Sequence, residues 1–210
     1  MAKRNFISYL LNPKNWWLPL LIIFIISIAG VTMIAVHTYT EAPPIPSYVS
    51  SKNETVFSKE DVLDGQSVFQ KYALMEYGSM FGDGANRGPD YTAQALHQTA
   101  IYLNDYYANQ PDITKLEWLG VKTKVQQEIK ENKYEKLNNR VKLTPAQVYA
   151  CEQLTVFYQN VFKGTGEDSF KPVNYLKDDG EIRQLTAFFY WGSWVCGAER
   201  PGKEYSYTHN

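Results

Sequence analysis

The chain contains few of the residues that build redox and metal centres. Of its 210 residues, 2 are cysteines, Cys151 and Cys196, and 3 are histidines. Two cysteines are too few for a disulfide scaffold or for a metal site made of several thiolates. They form no C-x-x-C-H motif for haem attachment. A single disulfide and two buried thiols are both compatible with the sequence.

The histidines form no recognisable catalytic or metal-binding motif. His37, His97 and His209 are far apart in the sequence, and none has a second ligand at metal-binding spacing. On a predicted helix, His97 is compatible with a ligand or a proton relay, but a local hydrogen bond is the simpler interpretation. We therefore predict no catalytic residue, no bound cofactor and no metal site in this chain.

Charge is absent from one long segment near the N-terminus. No Asp, Glu, Lys or Arg occurs between Asn15 and Thr40, and this run exceeds the ~20 residues that a helix needs to cross the hydrocarbon core of a bilayer. A cleaved signal peptide is the alternative, but its apolar region usually spans only ~7–15 residues. We predict an uncleaved transmembrane helix over residues 15–40.

The charges before this helix predict its orientation in the membrane, and the charges after it argue against nucleic acid as a partner. Lys3, Arg4 and Lys14 precede the helix, and basic flanks stay cytoplasmic. Residues 1–14 are then cytoplasmic, and the part of this single-pass inner-membrane protein from residue 41 onward is periplasmic. The later part of the chain keeps 18 of the 21 basic residues against all 22 acidic ones, a net charge of about −4 that argues against nucleic acid as a partner.

The remaining sequence predicts a mainly α fold with an aromatic-rich core. The proline-rich segment that begins at Glu41 favours an extended linker over residues 41–57. A helical domain over residues 58–210 follows, because N-cap and stop signals delimit helices that begin at Ser58, Asp90 and Thr144 and one that runs from about Glu181 to Gly197. The charged stretch 122–136 has little apolar content and is interpreted as a solvated helix or a solvated excursion of the chain, not as a functional patch.

Short motifs at both ends of the predicted domain carry a family resemblance. The first group comprises Gly65-Gln-Ser-Val-Phe-Gln70, Met75-Glu-Tyr-Gly-Ser79, Gly82-Asp-Gly-Ala85, Pro89-Asp-Tyr-Thr-Ala93 and Leu96-His97. The second comprises Phe188-Phe-Tyr-Trp191, Ser193-Trp194, Arg200-Pro201 and Tyr205-Ser-Tyr-Thr208. In this order they resemble the N-terminal extracytoplasmic domain of quinol-dependent nitric oxide reductases. The resemblance is loose between Asp112 and Val173.

That family domain is a cytochrome c fold that has lost its haem. The resemblance implies that Leu74, Tyr77 and Gly78 stand where a haem-bearing relative has two cysteines and the ligating histidine. Leucine and tyrosine form no thioether bond, and glycine has no side chain to bind iron. We expect aromatic side chains to fill the vacated volume, because an empty apolar cavity is destabilising. Family members carry tryptophan where this chain has Phe69 and Tyr91.

The resemblance also implies a function and a set of partners. In single-chain members, about a dozen further transmembrane helices carry haem b, haem b3 and a non-haem iron, and this chain contains none of their ligands. We therefore expect a non-catalytic small subunit, or domain, of a complex that reduces nitric oxide to nitrous oxide with quinol electrons. Its expected partners are the lipid bilayer and a polytopic haem-copper-type catalytic subunit, which would hold these cofactors and react with quinol.

Three residues are candidates for contact with such a partner. The resemblance places Trp191, Trp194 and Arg200 beside the junction with the membrane core. Ordinary core packing and a helix-end charge explain the same residues equally well. The alternative function is a membrane-anchored periplasmic adaptor or assembly protein that reuses the fold without a reductase partner.

Overall fold

The computed structural model describes residues 12–83, 88–109, 115–164 and 174–209, with the backbone alone for residues 115–119. The chain divides into two compact units, Met1–Ala42 and Pro43–Asn210. Several residues used in the sequence analysis lie outside the described ranges, namely Lys3, Arg4, Gly84, Ala85, Asp112 and Val173.

The first unit contains a long apolar helix, α1 (Trp17–Glu41), which follows a short 3-10 turn at Pro13–Asn15. The side chain of Asn12 accepts a hydrogen bond from the backbone N–H of Lys14 at 3.1 Å and so caps this turn. With 25 residues, α1 is about 37 Å long, which exceeds the ~30 Å thickness of a bilayer's hydrocarbon core. The helix predicted over residues 15–40 is confirmed, and its length and composition suit a membrane anchor.

The second unit contains a small sheet that the sequence did not predict. Its strands are β1 (Ser47–Val49), β2 (Thr55–Phe57), β3 (Tyr134–Glu135) and β4 (Arg140–Lys142), in the spatial order β2-β1-β4-β3. Strand β1 is antiparallel to β2 and parallel to β4, and β3 is antiparallel to β4. Strands of two or three residues are too short to produce a detectable alternation of apolar and polar residues.

The sheet corrects the predicted linker over residues 41–57. Tyr48 and Phe57, on β1 and β2, are 0% and 2% exposed and belong to the main hydrophobic core. The second unit therefore begins at Pro43 rather than at residue 58. The prolines keep the chain extended as predicted, but an extended chain can also enter a sheet, and two buried aromatic residues favour that outcome.

Five further α-helices occur in the described part of the second unit: α2 (Lys59–Lys71), α3 (Tyr91–Ala108), α4 (Lys115–Lys130), α5 (Pro145–Lys163) and α6 (Asp179–Gly197). The predicted N-caps at Ser58 and Thr144 are confirmed and both form capping boxes, and Asp90 accepts a hydrogen bond from the backbone N–H of Ala93 at 2.8 Å. Helix α5 ends at Gly164, which has a left-handed φ of 78°. The mainly α fold is confirmed.

Helix α4 corrects the interpretation of residues 122–136 as solvated. Its residues Val121, Val125 and Glu128 are 5%, 4% and 6% exposed and form one buried face at spacings of four and three residues. Charged residues on the other faces of the helix mask this narrow stripe in the sequence. Strand β3 occupies residues 134 and 135, so the stretch also ends in the sheet.

Helix α6 is the centre of the second unit. Eleven of its 19 residues are buried, which leaves no side of the helix fully exposed to solvent. It packs against α2, α3, α4 and α5. The packing against α2 is close at Gly65, where an added Cβ would lie 2.6 Å from the carbonyl carbon of Gln184 and 2.8 Å from Cβ of Phe188. No side chain fits between the two helices at this point.

The variant Gly65→Ala is expected to lower the free energy of unfolding by about 1–3 kcal/mol, because the added methyl group overlaps the backbone of α6. The matched control is Gly120→Ala on α4, where nothing lies within 4 Å of an added Cβ. That variant should be neutral or slightly stabilising, because alanine favours helix more than glycine does. Thermal unfolding of the full-length chain in detergent, followed by circular dichroism, measures both; equal melting temperatures would contradict the close approach.

The carboxylate of Asp61 also joins α2 to α6. It accepts hydrogen bonds from the backbone N–H of Ser58 at 2.8 Å and from Nη1 of Arg183 at 3.1 Å. Burial acts to raise the pKa of Asp61, but the hydrogen bonds from Ser58 and the charge of Arg183 outweigh burial, and the pKa is lowered. A carboxylate with a lowered pKa stabilises the fold at neutral pH and loses that contribution as the pH falls through its folded-state pKa.

The stability difference between the wild type and Asp61→Asn is expected to shrink as the pH falls below about 4, because protonated Asp61 no longer pairs with Arg183. Unfolding midpoints in urea, which does not screen charges, measured from neutral pH to about pH 3, test this. Glu60→Gln removes one negative charge from the same exposed turn without removing the partner of Arg183. A difference that stays constant with pH, or that Glu60→Gln reproduces, would refute the assignment.

Candidate functional site

The turn after α2 contains the three positions that the resemblance assigns to a lost haem attachment. Ala73 has a left-handed φ of 47°, and a single 3-10 turn, Leu74–Glu76, follows it. This turn buries Leu74 completely, and Tyr77 packs half-buried against the main core. Gly78 is also buried. All three positions therefore lie in or against the core.

The ring of Tyr91 covers Gly78. The backbone N–H of Ser79 donates to the carbonyl of Pro89 at 3.0 Å, and the N–H of Tyr91 donates to the carbonyl of Ser79 at 2.8 Å. These bonds hold the start of α3 against the turn. A Cβ added to Gly78 would lie 2.6 Å from the Pro89 carbonyl oxygen and 2.8 Å from Cζ of Tyr91. A residue with a side chain does not fit at position 78.

Behind Tyr91 lies a group of packed rings that we call the aromatic cluster. All its members are at most 6% exposed: Phe69, Tyr91, Tyr158, Phe162, Phe188 and Phe189. The rings of Tyr91 and Phe189 are stacked, with centroids 4.6 Å apart and planes 4° from parallel. Phe69 meets both of these rings edge to face, at 6.1 and 6.0 Å. Offset-stacked and edge-to-face geometries are the favourable arrangements of aromatic pairs.

Tyr175 closes the other side of the turn. Its ring lies 5.2 Å from the ring of Tyr77 and 5.8 Å from that of Tyr72. Its hydroxyl donates to the backbone carbonyl of Tyr72 at 2.8 Å. Tyr77 is therefore held between the core and a second tyrosine.

The residues at this turn do not fit a covalently bound haem. Attachment of c-type haem requires two cysteine thiols and an adjacent axial ligand. Positions 74 and 77 carry leucine and tyrosine, and the space beside Gly78 is occupied by the ring of Tyr91. The aromatic side chains that we expected to fill the volume lie directly behind that ring.

Both cysteines are free thiols on other elements. Cys151 is buried on α5, and Cys196 is half-buried near the end of α6, so the two-thiol alternative is the one found. Burial raises the pKa of both thiols, which keeps them protonated. Among the described residues, no three His, Cys, Asp or Glu side chains cluster as metal ligands. His97 is exposed, and the ring of His209 stacks on Tyr205 at 4.8 Å.

The three candidate contact residues have different environments. Trp194 is 8% exposed and packs against Tyr48 and Tyr207 in the core, so core packing accounts for it. Trp191 is half-buried, and its Nε1–H donates to the carbonyl of Pro44 at 3.0 Å. The guanidinium of Arg200 lies over the ring of Tyr207 at 5.0 Å and donates to the carbonyl of the same residue at 3.2 Å.

The ring of Trp191 is part of an aromatic edge that reaches the surface. It stacks on Phe188 of the aromatic cluster, with centroids 5.9 Å apart. Its other neighbour is Phe81, whose ring meets it edge to face at 5.9 Å and is 42% exposed. Phe81 and Trp191 together form an exposed apolar edge, which the sequence analysis identified only through Trp191.

A buried carboxylate is the main polar feature that sequence reasoning missed. Glu128, on α4, accepts a hydrogen bond from the hydroxyl of Tyr107 at 2.7 Å and another from the hydroxyl of Thr144, the N-cap of α5. Gln147 donates to the backbone carbonyl of Glu128 at 3.3 Å. Burial and the bond to Glu128 raise the pKa of Tyr107. The network ties α3, α4 and α5 together. In the sequence, Val121 and Val125 recur on the same helix face as Glu128, and this was the available sign that the face is buried.

Comparison with known proteins identifies a family for this arrangement. A family model for the cytochrome c-like domain of the nitric oxide reductase protein NorB matches residues 46–210. The matched range includes the turn, the aromatic cluster and α6. A search of curated proteins found no match. The resemblance inferred from the sequence motifs is confirmed.

The variant Tyr91→Ala is expected to lower the free energy of unfolding by about 3–5 kcal/mol, because it opens a cavity among rings that are otherwise in contact. Tyr205→Ala is the matched control: it removes the same side chain from a half-buried position where its ring contact is with His209. Chemical denaturation of the full-length chain compares the two variants. A loss for Tyr91→Ala no larger than that for Tyr205→Ala would show that the ring does not fill the core.

Proposed function

Because the chain belongs to the family of NorB cytochrome c-like domains, we propose that it is a haem-free, non-catalytic component of a quinol-dependent nitric oxide reductase complex. The match over residues 46–210 is the observation that carries this proposal. In this role the chain contributes structure to a complex that reduces nitric oxide to nitrous oxide, and it transfers no electrons itself.

The geometry of the turn supports the non-redox part of the proposal. A haem c group would need thiols at Leu74 and Tyr77 and an iron ligand at Gly78. The first two residues supply none, and the ring of Tyr91 leaves no room for a side chain at the third. Electrons from quinol then reach the catalytic metals without passing through this domain.

The proposed partner is a polytopic membrane component of the haem-copper type. It would hold haem b, haem b3 and the non-haem iron and would react with quinol. Helix α1 anchors the chain in the same bilayer, and the basic residues before it favour a cytoplasmic N-terminus with the second unit in the periplasm. We place both in the inner membrane.

The exposed edge of Phe81 and Trp191 is our candidate for the contact with this partner. Trp191 is hydrogen-bonded to Pro44, the second residue of the second unit, so the edge lies where the chain enters that unit. Exposed aromatic residues are enriched at protein interfaces. Arg200 remains a candidate for a peripheral polar contact, whereas Trp194 acts in packing.

The first test is purification of the tagged full-length chain from its native membrane in mild detergent, with a visible spectrum, a gel of the purified components and a nitric oxide turnover assay. We expect haem b bands, a polytopic component and turnover. A colourless chain that purifies alone would overturn the proposal and favour an adaptor or assembly protein.

The variant Phe81→Ser is expected to reduce the recovered haem per chain several-fold, because it removes the exposed ring from the proposed contact. Leu137→Ser is the matched control, since Leu137 is a large apolar residue that is 100% exposed between β3 and β4. The ratio of haem absorbance to tagged chain measures the effect. Equal haem recovery with both variants would exclude this edge as the contact.

A further inference from the structure

An open apolar groove lies on the surface of the second unit, between helices α3, α4 and α6. Its volume is about 460 Å³, which is within the range of about 300–1,000 Å³ that small-molecule sites occupy. All three helices contribute apolar lining: Leu96, Ala100, Val125, Ile129 and Gly197. The groove shares no lining residue with the turn after α2 or with the edge of Phe81 and Trp191.

The polar rim of this groove is basic. Lys122, Gln126 and Lys130 line the groove and recur every four residues on α4, so they lie along one side of the helix. All three are exposed, whereas Val125 is buried and Ile129 is half-buried on the floor. The two lysines are about 12 Å apart along the helix axis. Among the described residues, no Asp or Glu lines the groove.

The ammonium groups of the rim are available to a ligand. Within the described part of the chain, no residue pairs with the ammonium of Lys122. Lys130 pairs with Glu199 at 3.4 Å, but an ion pair between two exposed side chains contributes little. A lysine ammonium has three donors and no acceptor. The rim therefore favours an anionic group, and Lys122 is the lysine best placed to bind it.

The floor of the groove favours an alkyl chain over an extended peptide. Of its polar side chains, Asn104 already donates to the carbonyl of Ala100 at 2.8 Å. An extended peptide would leave backbone groups unpaired on this floor, which is destabilising. An alkyl chain has no polar group to satisfy, and each methylene group that it buries adds to binding.

We propose that the groove is a binding site for a long-chain carboxylate, that is, a fatty acid. Its alkyl chain lies over Leu96, Ala100, Val125 and Ile129, and its carboxylate pairs with the ammonium of Lys122. Because α1 suits a membrane anchor, the protein is held close to a source of acyl chains. This site is independent of the proposed role in nitric oxide reduction.

The test is photo-crosslinking of the full-length chain in a neutral detergent, at mildly alkaline pH, with a long-chain fatty acid that carries a diazirine in its alkyl chain. Mass spectrometry of the digested protein locates the attached probe. Helix α1, as the apolar helix, contacts the probe in the micelle and serves as the internal reference. Relative to α1, we expect the acid to label the groove several-fold more than the alcohol of the same chain length does, because only the acid is anionic.

Paired substitutions separate the charge of the rim from the shape of the floor. Lys122→Gln should lower labelling of the groove by the acid several-fold, whereas Lys124→Gln removes the same charge from α4 outside the groove and should not. Ala100→Phe fills the floor and should lower labelling by both probes. Its control is Ala93→Phe, which adds the same ring at an exposed position of α3 outside the groove.

The proposal is overturned if the groove is not labelled, if acid and alcohol label it equally, or if Lys122→Gln is labelled like the wild type. Crosslinks from the groove to another polypeptide in place of the probe would show a protein interface and would also overturn it. If Ala100→Phe does not fold, the lysine variants still decide the outcome, because they change only exposed side chains. None of these measurements depends on haem content or turnover.

Discussion

The second unit depends on glycines at which the backbone approaches a neighbouring element too closely for any side chain to fit. At Gly65 the helix α2 meets α6 with no room for a Cβ, and at Gly78 the turn meets the ring of Tyr91. The aromatic cluster forms between these contacts because they bring α2, α3 and α6 close enough for their rings to touch.

The aromatic cluster forms the core behind the turn whose residues do not fit a covalently bound haem. A haem contributes a large flat apolar surface around which helices pack, and its loss would leave a cavity that destabilises the fold in proportion to its volume. In this chain the stacked rings of Tyr91 and Phe189 pack behind the turn. Each well-placed aromatic pair adds roughly 0.5–1.5 kcal/mol beyond the burial of apolar area. Aromatic side chains thus form the core behind this turn.

The sequence predicted what local interactions determine and missed what depends on distant partners. The helix starts at Ser58, Asp90 and Thr144 were predictable because each cap bonds to a residue three positions later. The sheet was not, because Ser47 on β1 is paired with Arg140 on β4, a residue 93 positions away. The burial of Glu128 was missed for the same reason, since its partners come from two other helices.

The same division applies to the candidate site. The positions of Leu74, Tyr77 and Gly78 followed from a family resemblance, which linked short motifs to a known attachment site. The closure of that site by Tyr91 depends on backbone pairing of Ser79 with Pro89 and Tyr91 across a glycine-rich loop. The sequence gives the residue type at position 91 but not the place of its ring. The pairing of Ser79 with Pro89 and Tyr91 is what places that ring against Gly78. Covalent haem attachment at this turn is therefore disfavoured twice: positions 74 and 77 carry no thiol, and the ring of Tyr91 occupies the space beside Gly78.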